Sequence, residues 1–375
     1  MPPDHAPDDR RIPVTLLTGF LGAGKTTLLN HLLKLPEMAR AAVLINEFGE
    51  VGVDHHLVER VDHHLVERVD DSVVVLDSGC LCCAVRGDLA RALRKLFMGG
   101  LSGEVAPVSR VLVETTGLAD PAPVIHTLME DLFIADRYRC DGVVTAVDAT
   151  HAPGQLARHP EAVRQAVMAD RLLLTKCDLA SQAELAALAE TLAQLNPGAP
   201  QLRVSHGQVS PEAVFNAGLF DPGSKAPDVV AWLAEEAVRA QARRAAASRY
   251  RYAPGDAPAS PAETPRHDAS VHSFVLTFEG PLDWFDFGEA LRTLQATCGE
   301  RLLRIKGLVN VAGDPLPRVI QAVQHVIYPP ASLPAWPATG PYADHRSRLV
   351  FIVRDLDRAL VEQAFALFCG VRDVG

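Results

Sequence analysis

Short apolar runs recur through the first half of the chain and alternate with segments of helical periodicity. Six runs have the length and the Val, Ile and Leu content of buried strands, at residues 14–17, 42–45, 73–76, 111–113, 143–147 and 172–174. Helical patterns such as 27–35 and 183–195 lie between several of them. This alternation predicts an α/β fold, with a mostly parallel sheet covered by helices.

The pattern changes near the middle of the chain. Residues 241–270 are rich in Ala and Pro, a composition typical of a flexible linker. We therefore expect a first domain over 10–240 and a small α+β domain over 271–370. In the second domain the pattern predicts strands at 273–278 and 349–353, one or two strands over 302–311, a strand pair over 318–327, an amphipathic helix over 285–298 and a final helix.

Composition narrows the class of protein. With 375 residues, 48% hydrophobic and 22% charged, the chain suits two globular domains. It lacks a long apolar run and an N-terminal signal sequence, so we expect a cytoplasmic protein without a membrane partner. A net charge of -10 argues against nucleic-acid binding. The seven cysteines are an odd number, and three of them crowd together, which disfavours a disulfide framework.

The segment after the first strand matches the phosphate-binding pattern G-x-x-x-x-G-K-[ST] and opens the first predicted helix. Its glycines let backbone N–H groups surround phosphate oxygens, and the helix N-terminus adds a positive dipole. Lys25 can supply a charge to the β and γ phosphates, and Thr26 can ligate Mg²⁺. The predicted nucleotide contacts here are Gly19, Gly22, Ala23, Gly24, Lys25, Thr26 and Thr27.

A second apolar strand ends in Glu114 and leads to Gly117. This arrangement is typical of the element that organises Mg²⁺ and senses the γ-phosphate, so Lys25, Thr26, Glu114 and Gly117 are the predicted catalytic set. No Gln follows Gly117 in the next few positions. We therefore expect slow intrinsic hydrolysis that depends on a partner or a conformational trigger.

A later strand ends in Thr175, Lys176, Cys177 and Asp178, the pattern T-K-x-D. The carboxylate of Asp178 can accept hydrogen bonds from N1–H and N2–H2 of guanine, donors that adenine does not present in that arrangement. The predicted nucleotide is therefore GTP, read by Thr175, Lys176 and Asp178. The loop at 204–206 is a weaker candidate for a second contact with the base.

Three thiols follow the strand at 73–76, at Cys80, Cys82 and Cys83. They suit a soft metal ion such as zinc, with a further ligand from elsewhere. Buried structural thiols and a redox switch are the alternatives. Candidates for the further ligand are Glu47, Glu50 and the pairs His55, His56 and His63, His64. His267 and His272 could assist in metal capture, but we interpret them as two solvated histidines.

Together these segments resemble the CobW family of P-loop GTPases, relatives of the HypB and UreG nickel-insertion GTPases. The resemblance covers nearly the whole chain, including a CobW-like C-terminal domain from about residue 271 to 368. It implies a GTP-dependent metallochaperone with the C-x-C-C thiols as an internal metal site and Glu47 and Glu50 near it. The implied cargo is zinc, or cobalt as in some members of the family, and the implied partner is a client metalloprotein. The resemblance is compatible with a homodimer but does not decide the oligomeric state.

Two other functions remain open from the sequence. One is a GTPase step in the assembly of cobalamin or another metallocofactor, and the other is a GTP-gated activator or regulator whose metal is structural. A small-molecule kinase fits the phosphate loop alone but not T-K-x-D. The chain also departs from the family pattern, because the octapeptide at 53–60 is repeated identically at 61–68. We expect a longer surface excursion there, without a new structural element.

Overall fold

The structure is a computed structural model that describes residues 9–38, 40–46, 73–76, 84–215, 217, 271–338 and 341–369. The predicted linker and the duplicated octapeptide lie outside these residues. Within them the chain forms two sheets, one parallel and one antiparallel, each with helices against it.

The first sheet has seven parallel strands in the order β3-β2-β4-β1-β5-β6-β7. Among the described side chains, those of the five central strands are almost wholly buried because helices cover both faces of the sheet. All six predicted strands are present, and a short seventh follows them. The strands are β1 (Ile12–Gly19), β2 (Ala41–Asn46), β3 (Val73–Leu76), β4 (Arg110–Glu114), β5 (Tyr138–Asp148), β6 (Arg171–Thr175) and β7 (Gln201–Arg203).

Eight helices accompany this sheet in the described part of the chain. They are α1 (Lys25–Leu32), α2 (Ala84–Ser102), α3 (Ala122–Glu130), α4 (Leu132–Ala135), α5 (Ala152–Arg158), α6 (Pro160–Met168), α7 (Gln182–Leu195) and α8 (Pro211–Val214).

The two helices expected from periodicity are present with adjusted bounds. The pattern at 27–35 becomes α1, which begins two residues earlier and ends at Leu32. It stops there because the chain tightens into i→i+3 bonds ahead of Pro36, and a residue before proline disfavours the helical conformation. The pattern at 183–195 becomes α7, which begins with a capping box between Ser181 and Glu184.

The second sheet is antiparallel, with the order β11-β10-β9-β13-β8 and β12 paired to β10. Helices α9 (Trp284–Cys298) and α10 (Arg358–Cys369) pack on it, which confirms the predicted α+β character. The run at 302–311 is one strand, and the predicted pair over 318–327 is a hairpin. The strands are β8 (Val271–Phe278), β9 (Leu302–Val309), β10 (Arg318–Val323), β11 (Val326–Ile327), β12 (Ala331–Ser332) and β13 (Ser347–Arg354).

The two sheets share continuous apolar cores. Leu303 and Ile352 from the antiparallel sheet join the cluster around α6 and α7. Val323, Val326 and Tyr328 join the cluster beneath α2 and α3. The C-terminal unit is therefore packed firmly against the parallel sheet, with β9 beside α6.

Three aromatic residues, Trp284, Phe285 and Phe287, lie at the start of α9. Phe287 is 1% exposed and packs in the C-terminal core, and Trp284 stacks on its ring. Phe285 is 79% exposed. Core packing therefore accounts for Trp284 and Phe287, and Phe285 faces solvent.

Candidate functional site

The predicted phosphate loop connects β1 to α1 at the carboxyl edge of the parallel sheet. Gly22 and Gly24 adopt left-handed backbone angles, with φ of 75° and 86°, which glycine adopts at little cost. Gly24 is the N-cap of α1, so the free N–H groups of the first turn face the loop. Thr27, on this first turn, is exposed. The loop therefore has the backbone arrangement that suits an anion.

Lys25 and Gly19 lie at the bottom of this loop. The ammonium of Lys25 donates a hydrogen bond to the carbonyl of Gly19 at 2.9 Å, and the residue is 9% exposed. Gly19 has φ of 145°, and a Cβ there would meet the carbonyl oxygen of Ala146 at 2.4 Å. No side chain fits at that position, because the loop leaves β1 directly against the backbone of β5.

Thr26 and Glu114 come together from α1 and β4. The hydroxyl of Thr26 donates to Oε1 of Glu114 at 3.3 Å, and Glu114 is 6% exposed. Next along the chain, Thr115 donates to the hydroxyl of Thr18 at 2.8 Å, which ties the end of β4 to β1. The structure thus brings together two residues that are 88 positions apart in the sequence.

Gly117 is packed against the phosphate loop. A Cβ at Gly117 would meet backbone and side-chain atoms of Leu21 at 2.6–2.8 Å. This close approach places the loop after β4 directly over the phosphate loop. All four predicted catalytic residues therefore lie at one edge of the sheet.

The T-K-x-D segment lies on the other side of the phosphate loop. The Thr175 hydroxyl donates to the carbonyl of Ala23 at 2.8 Å, which joins the end of β6 to the loop. Lys176 adopts a left-handed φ of 55°, an uncommon conformation for a residue other than glycine. Asp178 follows in a short 3₁₀ helix and is exposed. The structure thus leaves this carboxylate open to a ligand beside the phosphate loop.

Asp148 is a residue of this site that sequence reasoning missed. It ends β5, is 2% exposed and accepts a hydrogen bond from the ammonium of Lys176 at 2.8 Å. Its other oxygen accepts from the backbone N–H and the hydroxyl of Thr150. Burial acts to raise the pKa of Asp148, but the bonds from Lys176 and Thr150 outweigh it and lower the pKa to about 2. The available signal was a carboxylate at the end of an apolar strand, as at Glu114.

The weaker candidate at 204–206 also lies near the phosphate loop. Val204 is buried and His206 is exposed with a left-handed φ of 52°. A Cβ at Gly207 would meet Cγ2 of Thr27 at 2.7 Å. This loop therefore passes directly beside the first turn of α1.

Gln165 is the second residue that the sequence did not reveal. It lies on α6, is 1% exposed, and its amide donates to the carbonyls of Gly117 and Ala119 at 3.2 and 2.9 Å. The adjacent Arg164 pairs with Asp120 at 3.4 Å. Two neighbouring residues of α6 thus hold the loop that follows Glu114. A glutamine within an amphipathic helix carries no local signal of such a role.

Two family models match the chain. The CobW/HypB/UreG nucleotide-binding domain matches residues 13–203, and the cobalamin synthesis protein cobW C-terminal domain matches residues 271–368. The first match covers about half of the chain and includes the phosphate loop, Glu114 and T-K-x-D. The chain belongs to the CobW family of P-loop GTPases.

Two relatives of this chain have zinc in their names. It is 34% identical to the zinc chaperone YjiA of Escherichia coli over 355 residues, 95% of this chain and 98% of that protein. It is 33% identical over 208 residues to the zinc-regulated GTPase metalloprotein activator 1 of Schizosaccharomyces pombe, 55% of this chain and 49% of that protein. The crystal structure of Zn(II)-bound YjiA GTPase from E. coli superposes with a TM-score of 0.62 at 31% identity, over 96% of this chain and 99% of that one.

The predicted metal ligands of this CobW protein lie outside the described residues. These are Glu47, Glu50, Cys80, Cys82 and Cys83, together with the paired histidines of the octapeptide repeat. Within the described ranges no group of three or more His, Cys, Asp or Glu side chains could hold a metal ion.

The other four cysteines, Cys140, Cys177, Cys298 and Cys369, are free thiols. Among the described helices, none combines the length and the apolar character needed to cross a bilayer.

Proposed function

We propose that this protein couples GTP binding and hydrolysis to the binding of zinc, or of a related divalent metal, and to its transfer to a client metalloprotein. Cys80, Cys82 and Cys83 would supply the thiolates, with Glu47 and Glu50 near them. Such thiols must stay reduced, so we place the protein in the cytoplasm. The names of its relatives support zinc as the metal.

The observation that carries this proposal is the register of three neighbouring strands. β2 lies between β3 and β4, with Asn46 paired to Leu76 and Ile45 paired to Glu114. Parallel strands end at the same edge, so the segments bearing Glu47 and Cys80 continue from strand ends beside Glu114. A metal site formed from these segments would adjoin the element that contacts the γ-phosphate, which is what nucleotide-dependent metal affinity requires.

GTP would lie along the phosphate loop, with its base toward Asp178. The charge of Lys25 and the N–H groups at the start of α1 would bind the β and γ phosphates. Thr26 and Glu114 suit Mg²⁺, since a hydroxyl and a buried carboxylate meet there at 3.3 Å. When bound, the ion would neutralise charge that develops on the phosphates during hydrolysis. Gly117, packed on Leu21, would bring the backbone that follows β4 close to the γ-phosphate.

The proposal is tested by zinc affinity in two nucleotide states. The reduced protein is titrated against a chromophoric chelator with GDP and Mg²⁺, and then with a non-hydrolysable GTP analogue and Mg²⁺. We expect a change in zinc affinity of at least about tenfold, which corresponds to about 1.4 kcal/mol of coupling. Equal affinities would overturn a GTP-gated carrier and favour a regulator with a structural metal.

A pair of cysteine variants locates the site. Cys82→Ser should weaken zinc binding and remove its dependence on nucleotide. Cys369→Ser is the matched control, because this half-buried thiol of α10 lies outside the proposed ligand set. Transfer is followed as zinc release to the chelator after Mg²⁺ is added to protein loaded with GTP and zinc. Release no faster than with the non-hydrolysable analogue would contradict hydrolysis-driven transfer.

A further inference from the structure

Helix α6 contacts the loop after Glu114 from one side. The buried amide of Gln165 donates to two carbonyls of this loop, those of Gly117 and Ala119. Arg164 pairs with Asp120 three residues beyond Gly117. Because Gly117 itself packs on the phosphate loop, a shift of α6 would move the backbone nearest to the expected γ-phosphate.

The same helix is held by the C-terminal domain only one turn later. Arg304 of β9 donates to the carbonyl of Met168, the last residue of α6, and pairs with Asp170. Arg304 is 1% exposed. Lys306 of the same strand pairs with the same carboxylate at 3.3 Å. The carbonyls of Gly117 and Met168 are thus linked through one helical turn.

The chemistry of this contact favours a geometric role. Taking a guanidinium and a carboxylate out of water costs free energy that their attraction often fails to recover, so apolar side chains would stabilise the seam as well or better. This balance applies when both partners are replaced, since removing one alone leaves a buried charge uncompensated. A planar guanidinium that contacts both Met168 and Asp170 fixes the end of α6 in one position. Asp170 is further oriented by the N–H of Val143, which donates to its second oxygen at 3.0 Å. The C-terminal sheet therefore sets where α6 lies.

We infer that the C-terminal domain positions the loop 117–120 for GTP hydrolysis through α6, with Gln165 and Arg304 as positioning residues. The inference concerns hydrolysis alone and is independent of which metal the protein carries. Coupling through one helix acts in both directions. A change of nucleotide that moves the loop would then also shift β9. Conversely, a client bound to the C-terminal domain could change the rate of hydrolysis.

Two buried basic side chains of β9 provide a pair of variants for comparison. Arg304→Met and Lys306→Met each remove a basic group that faces Asp170, so both should lower the melting temperature. Arg304→Met also removes the hydrogen bond to the carbonyl of Met168. In the full chain, at a temperature well below both melting points, we expect Arg304→Met to lower kcat for GTP at least about tenfold with KM changed less than about threefold. Lys306→Met should keep kcat within about twofold.

A double-mutant cycle tests whether Gln165 and Arg304 act along one path. Gln165→Leu removes both donors to the loop at similar size and should lower kcat as Arg304→Met does. The double variant should then be no slower than the slower single variant, because both changes interrupt the same connection. If Arg304→Met fails to fold, Arg304→Lys keeps the charge opposite Asp170 and takes its place in both experiments.

Three results would overturn the inference. The first is an equal loss of kcat in Arg304→Met and Lys306→Met, which would point to general destabilisation. The second is a loss of kcat in Gln165→Leu without one in Arg304→Met, which would leave the C-terminal domain uninvolved. The third is a double variant whose loss equals the product of the two single losses, since independent sites multiply.

Discussion

Replacing Asp148 with asparagine removes the negative charge that faces Lys176 and keeps the shape of the side chain. The asparagine oxygen can still accept the bonds from Thr150, but its NH2 group would face the ammonium of Lys176, donor against donor. Lys176 then loses the carboxylate that accepts its hydrogen bond at 2.8 Å. We expect a less stable protein with a looser base-binding segment.

The size of the effect follows from two considerations. A hydrogen bond to a charged group contributes about 1.5–3 kcal/mol. The pKa of Asp148 is lowered from 3.8 to about 2, a shift worth about 2 kcal/mol. The Lys176 side chain is 36% exposed, so water screens the pair and we expect about 1–2 kcal/mol. With about 2.1 cal/mol/K of unfolding entropy per residue, this lowers the melting temperature of the 375-residue chain by about 1–3 °C.

The pH dependence has a definite sign. The folded pKa of Asp148 lies below its ordinary value, so its contribution to stability is fully present above about pH 4 and is lost only as the pH falls toward 2. The stability difference between wild type and Asp148→Asn should therefore be constant between about pH 8 and pH 5. A difference that fades within that range would refute the assigned ionisation.

GDP affinity provides the functional assay. We expect Asp148→Asn to bind GDP about tenfold more weakly in calorimetry, because Lys176 no longer has a fixed position beside the base. Asp141→Asn is the control: it removes an equally buried carboxylate of the same strand, which accepts from Thr15 at 3.1 Å, about 20 Å from the base segment. It should lose stability and keep its GDP affinity. Equal weakening in both variants, or none in Asp148→Asn, would refute the reasoning.

Gly19→Ala would bring a Cβ to 2.4 Å from the carbonyl oxygen of Ala146. This variant should therefore bind a fluorescent GTP analogue at least about tenfold more weakly than the wild type. The control Gly100→Ala places its Cβ in open space and should bind the analogue normally. Asn196→Ala removes three hydrogen bonds to carbonyls at the end of α6 and should cost about 2–3 kcal/mol; an unchanged melting temperature would contradict this. Deleting residues 61–68 should leave GTP and zinc affinities nearly unchanged, and a large loss of either would show that the repeat has become integral. The isolated protein should hydrolyse GTP slowly, and a high basal turnover would disprove the expected dependence on a trigger.

Local chemistry was enough to predict the residues of the candidate nucleotide site. A phosphate loop needs glycines, a lysine and a hydroxyl at fixed spacing between a strand and a helix, and residues 19–26 satisfy that requirement within eight positions. Glu114 and Asp178 were predicted as site residues because each lies at or just after the end of an apolar strand, and the carboxyl ends of parallel strands share one edge. These roles stay a prediction. The metal ligands were predicted from spacing in the same way and stay a prediction.

The sequence by itself determined the α/β character, the strands, the phosphate loop and the order of the two units, because each rests on periodicity or spacing within about a dozen residues. Only the tertiary structure decided which distant side chains meet. Asp148 and Lys176 are 28 positions apart, Gln165 and Ala119 are 46 apart, and Arg304 and Asp170 are 134 apart. Their meeting depends on strand order and on how the second sheet packs against α6. Neither property produces a periodic pattern in the sequence. A single polar residue looks the same in sequence whether its side chain contacts solvent, its own helix or another domain.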